Sequence, residues 1–279
     1  FNLFAPFRGT PKLTIFGSAR THPNDPLYAQ ARQLASRLAE RGFMVVTGAG
    51  PGIMAAGTEG AGPDKAIGVD IRLPFESVSH PELAAEGRLV EMKYFFTRKL
   101  MLMKESAAFA VLPGGFGTLD EAFELLTLLQ TGKAEPAPIV FLDIPGERYW
   151  EAWERFVGGE VIRRGLASEE DSAFYKVTAD VDGAVEEILG FYRNYHSRRF
   201  VGRVMVVRLK KAPTDEELAR LNVDFADCCS KRGIWRTEPL PPERADRDNL
   251  SLPRIALELD LRYQGRLRQL IDALNALVD

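Results

Sequence analysis

The sequence predicts an α/β fold, a doubly wound parallel sheet followed by a small C-terminal α+β domain, and three observations predict it. Short apolar runs alternate with amphipathic helical patterns from Lys12 to Tyr195, the order that sets a parallel sheet between two helical layers. Two of those runs end in glycine-rich turns that lead into helices, at Gly48–Gly52 and at Gly114–Gly117. Near residue 197 the alternation gives way to a β-α-β-β-α order, which reads as a split βαβ sandwich. The expected division is a Rossmann-like domain over residues 1–196 and a smaller domain over 197–279.

Each element has its own signal. Lys12–Phe16 is an apolar strand, and Pro26–Arg41 is a helix with Leu27, Ala31, Leu34, Ala35 and Leu38 on one face, stopped by Gly42. Phe43–Thr47 is the next strand, Ile53–Gly60 a helix and Ala66–Asp70 a third strand. Pro74–Arg88 is polar and reads as a rim loop. A short strand at Leu89–Glu91 leads into the helix that carries Arg98. Ala107–Leu112 and Ile139–Leu142 are apolar throughout, which predicts the two most central strands. Val161–Arg164 and Tyr175–Thr178 are the last strands, and Val181–Tyr195 the last helix, of this domain. Beyond the basic joint Ser197-Arg198-Arg199 come a strand at Val204–Leu209, a helix at Asp215–Lys231 opened by Thr214, and a strand at Ile234–Thr237. A polar loop, Pro239–Asn249, then precedes a strand at Ile255–Leu261 and a helix at Gly265–Val278.

Composition narrows the function classes. The 279 residues are 46% hydrophobic with a net charge of −3, so neither nucleic acid nor an anionic membrane is an expected partner. No run approaches the about 18 apolar residues of a membrane span. The start, Phe1-Asn2-Leu3-Phe4, has no basic region, so no signal peptide is expected; it also lacks Met, so further residues are expected before it. A cytoplasmic location follows. The two cysteines, Cys228 and Cys229, fall next to each other in a predicted helix, which excludes a disulfide framework. His22, His80 and His196 lack ligand spacing, so no metal site is expected.

The glycine turns carry the chemistry. Pro113-Gly114-Gly115-Phe116-Gly117-Thr118 follows a buried strand and opens a helix. Free N–H groups and the helix dipole converge there on an anion, with phosphate the expected occupant. Gly48, Gly50 and Gly52 repeat the arrangement upstream. They are not the dinucleotide fingerprint, whose sixth position here is Ile53, and no Walker lysine occurs. Two short loops suit a nucleoside monophosphate. Glu121 adds a carboxylate in the first turn of the helix, suited to stabilising positive charge on a ribose and to activating water. Thr118-x-x-Glu121 is equally a capping box, a purely structural alternative.

Arg98 is the second candidate, because its planar fork holds a carboxylate or phosphate bidentately; a solvated Arg98-Lys99 pair is the alternative. Glu124 and Thr127 follow Glu121 at helical spacings and extend the candidate ligand-binding face, where a solvent-facing charge is the other reading of Glu124. Ser18 is expected at the end of the first strand beside both glycine turns, where it could bind ligand or serve only as a turn residue, and Glu76 is expected to close the pocket from the rim loop.

Taken together, Gly48-Ala49-Gly50-Pro51-Gly52-Ile53-Met54, Tyr94-Phe95-Phe96-Thr97-Arg98-Lys99, the stretch Pro113 to Glu121, Leu125-Leu126-Thr127 and Gln130-Thr131-Gly132 resemble the LONELY GUY (LOG) family. The resemblance covers Lys12 to Phe191 and is nearest the longer bacterial branch. It implies a phosphoribohydrolase that cleaves the N-glycosidic bond of cytokinin riboside or other purine 5'-monophosphates, such as AMP, with no cofactor. It assigns catalysis to Arg98 and Glu121. The expected ligand-binding residues are Ser18, Gly48, Gly50, Gly52, Glu76, Lys99, Gly114, Gly115, Gly117, Thr118, Glu124 and Thr127, and the resemblance implies a homodimer or higher homo-oligomer. A non-catalytic nucleotide sensor or carrier on the same scaffold is the alternative, disfavoured by retention of both Arg98 and Glu121. A pyridoxal-phosphate lysine decarboxylase, a label such sequences attract, is rejected because no lysine sits in a cofactor setting.

Overall fold

The structure, a computed structural model, describes residues 2–71 and 81–278. The chain divides into two compact units. One comprises residues 1–127, 137–164 and 175–188; the other comprises 128–136, 165–174 and 189–279.

The first unit alternates strand and helix: β1 (Lys12–Phe16), α1 (Pro26–Glu40), β2 (Met44–Thr47), α2 (Ile53–Ala61), β3 (Ala66–Ile71), α3 (Pro81–Ala85), β4 (Leu89–Met92), α4 (Phe95–Lys104), β5 (Ala108–Val111), α5 (Phe116–Gln130), β6 (Ile139–Leu142), α6 (Tyr149–Phe156), β7 (Tyr175–Thr178) and α7 (Val181–Phe191). The last residues of α5 and α7 belong to the second unit. The seven strands are all parallel in the order β4-β3-β2-β1-β5-β6-β7. Strand order reverses beside β1, which makes the carboxyl ends of β1, β2 and β5 the ligand crevice of a doubly wound sheet.

Three expectations are corrected here. β1 is central and β6 lies one strand from the edge; apolarity does not separate them, because every residue of β1, β2, β5 and β6 is buried alike. The expected strand at Val161–Arg164 is instead part of a π-helical turn over Val157–Ile162, with Arg163 N–H bonded to Gly158 O. Of the expected rim loop, residues 74–80, with Glu76, lie outside the described residues, and Pro81–Ala85 is helical.

The second unit holds β8 (Tyr195–Val201), β9 (Val204–Leu209), α8 (Asp215–Asp224), β10 (Cys229–Arg236), α9 (Pro241–Asp246), β11 (Arg254–Leu259) and α10 (Gln264–Asn275). Its antiparallel neighbours run β10-β11-β9-β8, so β9-α8-β10 is a split βαβ unit with β11 between its strands. β8 stands where a helix end and a basic joint are expected, and the expected boundary at 196/197 falls inside it. The hairpin turn that joins it to β9 is Gly202-Arg203, with Gly202 at φ +62; glycine at the first turn position admits the hairpin geometry. The predicted helix to Lys231 stops at Asp224, so Cys229 opens a strand paired with Leu259. Asn222 enforces that exit by bonding both the N–H and the C=O of Ile234. Within the expected 239–249 loop, α9 caps itself through Glu243 Oε2 on Leu240 N–H.

Candidate active site

Three strand ends converge on one cavity of about 610 Å³. From the end of β1 come Gly17, Ser18, Ala19 and Arg20. From the end of β2 comes Gly48, from α4 Arg98, and from the β5–α5 turn Gly114 to Leu119 with Glu121. Ser18 N–H bonds Pro113 O at 3.3 Å, which ties the first and third of these loops together.

The glycines are required for different reasons. At Gly114 a Cβ would lie 2.2 Å from Thr118 Oγ1, and at Gly48 it would lie 1.9 Å from Arg98 Nη2. Gly52 has φ +67 and its Cβ would strike Ser18 O at 2.3 Å. Gly115 and Gly117 differ. A Cβ at either meets nothing within 4 Å, and neither has positive φ, so nothing within this chain demands glycine there.

The helix begins at Phe116, and Leu119 N–H bonds Gly115 O. Thr118 therefore lies inside the first turn and is not the N-cap, which removes the capping-box alternative. The helix thus begins three residues earlier than the side-chain capping signal suggests. Glu121 consequently sits in the second turn, half-buried on the cavity wall. Burial lifts its carboxyl to about 7, against the pull of Arg98 and Lys99 and with the push of Asp120 and Glu124. Such a carboxyl exchanges protons near neutrality.

Arg98 faces the same space from α4. Its Nε donates to Val69 O at 3.0 Å and its Nη2 to Gly48 O at 3.1 Å. The carbonyl ends of β2 and β3 thus orient a guanidinium that periodicity alone leaves on a helix surface.

Of the expected ligand-binding residues, Ser18, Gly48, Gly114, Gly115, Gly117 and Thr118 line the cavity with Arg98 and Glu121. Gly50, Gly52, Lys99, Glu124 and Thr127 do not. Gly50 and Gly52 shape the turn: a Cβ on Gly50 would lie 2.5 Å from Met54 Cε. Lys99 bonds Asp120 and Glu124, the latter at 2.9 Å.

Sequence reasoning missed Arg20, Phe116 and Tyr149. Arg20 lies two residues past Ser18 in the same turn, and its backbone N–H bonds Ser18 Oγ at 3.0 Å. Phe116 is 95% exposed. Tyr149, at the start of α6, donates its hydroxyl to Gly114 O at 2.6 Å. Buried Asp143, just past β6, accepts from Tyr149 N–H and Trp150 N–H and so fixes that helix start. No local signal in Tyr149 announces a partner 35 residues upstream.

Among the described residues no group of three or more His, Cys, Asp and Glu could hold a metal ion. No helix among them is long and apolar enough to cross a membrane.

The chain is similar to known proteins in sequence and in fold. A family model described as "Possible lysine decarboxylase" matches residues 49–188. A "Probable cytokinin riboside 5'-monophosphate phosphoribohydrolase" of Oryza sativa subsp. japonica is 30% identical over 193 residues, 67% of this chain and 87% of the rice protein. A "Bifunctional cytokinin biosynthesis protein" of Fusarium pseudograminearum is 27% identical over 194 residues, 62% of this chain and only 39% of the fungal protein. A molybdenum cofactor carrier protein from Chlamydomonas reinhardtii is similar in structure, with a TM-score of 0.43 and 21% identity over 64% of this chain and 98% of its own. By the matched region and the rice relative, the chain belongs to the LOG family, the one whose model carries the lysine decarboxylase description.

Proposed function

We propose that this protein hydrolyses the N-glycosidic bond of a purine nucleoside 5'-monophosphate, AMP-like, to free base and ribose 5-phosphate. The observation that carries the reading is Glu121. A carboxyl held near neutral pKa faces Arg98 across a cavity whose floor is the N-terminus of α5. Names of relatives such as the rice phosphoribohydrolase support the reaction class.

The phosphate sits against the N–H groups of Gly115 to Thr118, where the helix dipole favours an anion. Arg20 closes over it from the opposite loop as a counter-ion. With the phosphate anchored, the ribose C1' is held near Glu121, so remote binding positions the reacting bond. As the C1'–N bond breaks, its electron pair leaves with the base and positive charge grows on the ribose ring. The Glu121 carboxylate stabilises that charge and takes a proton from the attacking water, whose oxygen bonds to C1'. The departing base gains a proton in turn. Arg98, fastened by two backbone carbonyls, keeps a fixed cation beside the carboxylate, which favours its ionised form. No step calls for a metal or a redox cofactor.

The working assembly we propose is a homodimer or a larger homo-oligomer. Tyr94, Phe95, Phe96 and Leu100 on or beside α4 are each more than half exposed, and Phe123 on α5 is 42% exposed, an apolar load typical of a contact surface. The cytoplasm is the compartment we propose, supported by two free thiols at Cys228 and Cys229.

A panel of nucleotides and nucleosides, with released base separated and quantified, tests the reading. Base should appear from AMP or a related purine 5'-monophosphate, much more slowly from adenosine, and in the presence of chelator. Equal rates from AMP and adenosine refute phosphate anchoring. Nucleotide binding without base release favours the sensor or carrier reading.

A further inference from the structure

Lys99 does not line the cavity, although it follows Arg98 directly. Its ammonium lies between two carboxylates of α5, contacting Asp120 Oδ2 and standing 2.9 Å from Glu124 Oε2. Those carboxylates bracket Glu121, one residue before it and three after. Arg98 turns the other way, onto Gly48 O and Val69 O. Neighbouring residues on a helix point about 100° apart, so a single turn of α4 is fastened to the sheet by Arg98 and to α5 by Lys99.

Exposed ion pairs contribute little, and this one is not fully exposed. The Lys99 side chain keeps 19% of its surface in solvent. Burial pulls its pKa down, yet the hydrogen bonds it donates to Asp120 and Glu124 outweigh that and raise it. The ammonium therefore stays charged over the turn that carries Glu121. A role as phosphate ligand fits poorly, because the two anions around Lys99 are already those of α5.

We propose that Lys99 is a positioning residue, whose ammonium clamps Asp120 and Glu124 so that α5 presents Glu121 to Arg98 at a fixed spacing. The proposal rests on the hydrolase reading for its consequence but not for its geometry. The charged groups that face Glu121 are Arg98 and Lys99 from α4 and Asp120 and Glu124 on its own helix. Removing the Lys99 charge deletes a cation and leaves two carboxylates uncompensated. Both changes push the Glu121 carboxyl upward, away from the ionised form that the reaction uses.

The test uses the full chain with Lys99→Met and Lys99→Arg, and two readouts. The first is the Glu121 titration midpoint from carboxyl carbon NMR of the free protein, assigned by its loss in Glu121→Gln. The second is the pH dependence of kcat and KM with AMP. Lys99→Met should raise the midpoint by about one pH unit. It should also lower kcat about tenfold at neutral pH, with KM held within about twofold. Lys99→Arg should restore both. An unmoved midpoint in Lys99→Met overturns the proposal, as does a raised KM with unchanged kcat, the mark of a substrate ligand. If Lys99→Met does not fold, Glu124→Gln serves: losing that anion should move the midpoint down, and a fixed midpoint overturns the proposal. If the parent releases no base from any nucleotide, the hydrolase reading fails, while the NMR midpoint still decides whether Lys99 governs Glu121.

Discussion

Arg98 occupies the space that a side chain on Gly48 would need: Nη2 lies 1.9 Å from where a Gly48 Cβ would stand and accepts its place by bonding Gly48 O at 3.1 Å. The glycine at the end of β2 thus makes room for the arginine of α4. The consequence is a testable link between a turn residue and turnover. Gly48→Ala should expel the guanidinium and lower base release by about a hundredfold, comparable to a mispositioned catalytic group. Its circular dichroism should match the parent, and inorganic phosphate should still bind at the α5 N-terminus. Full activity in Gly48→Ala would show that Arg98 need not hold this position.

Glu121 gives a stability prediction with a definite sign. Its carboxyl rises from 4.5 to about 7 in the folded protein, chiefly through burial. Between those values the folded protein keeps a proton that the unfolded chain has lost, so stability falls as pH rises through that window. The loss is complete above about pH 7 and is at most about 3 kcal/mol. Glu121→Gln should therefore be more stable than the parent at pH 8 and equal to it at pH 4, by urea unfolding. The same variant should lose turnover by orders of magnitude. Parent kcat/KM should climb with pH through neutrality, because the carboxylate is the working form. A variant less stable at pH 8 contradicts the burial argument.

Tyr149→Phe removes the hydroxyl that holds Gly114 O. One such hydrogen bond contributes about 1 kcal/mol, and here it steadies the loop that receives phosphate. KM for the monophosphate should rise about fivefold with kcat little changed. A fall in kcat at constant KM would assign Tyr149 to the chemical step.

Arg20→Gln should raise KM for the monophosphate about tenfold or more, consistent with losing a charge-assisted contact. Activity on the unphosphorylated nucleoside should not change, so the preference for the phosphate shrinks. Titration with ribose 5-phosphate checks this directly. Unaltered affinity would leave the α5 N-terminus as the sole anchor.

How much of this was legible in the chain depends on the range over which each feature is specified. The alternation of strands and helices, the sites of the glycine turns, and the candidacy of Arg98 and Glu121 are all written within windows of a few to fifteen residues. Apolar period, backbone freedom and residue chemistry act locally, so the sequence by itself determined them. The family motifs lie in the same windows, most of them inside the matched region, residues 49–188.

Tertiary structure decided what depends on partners distant along the chain. β1 is central because strands added on both sides of it, a fact its own five residues do not contain. The helix reading at Cys228-Cys229 fails because Asn222 and β11 offer the backbone better partners than another helical turn would. Lys99 became a strut, and Tyr149 a loop support, because folding brought Asp120, Glu124 and Gly114 to them. A side chain's chemistry is local, but its hydrogen-bond partner is chosen by the sheet order and helix packing that only the whole chain specifies.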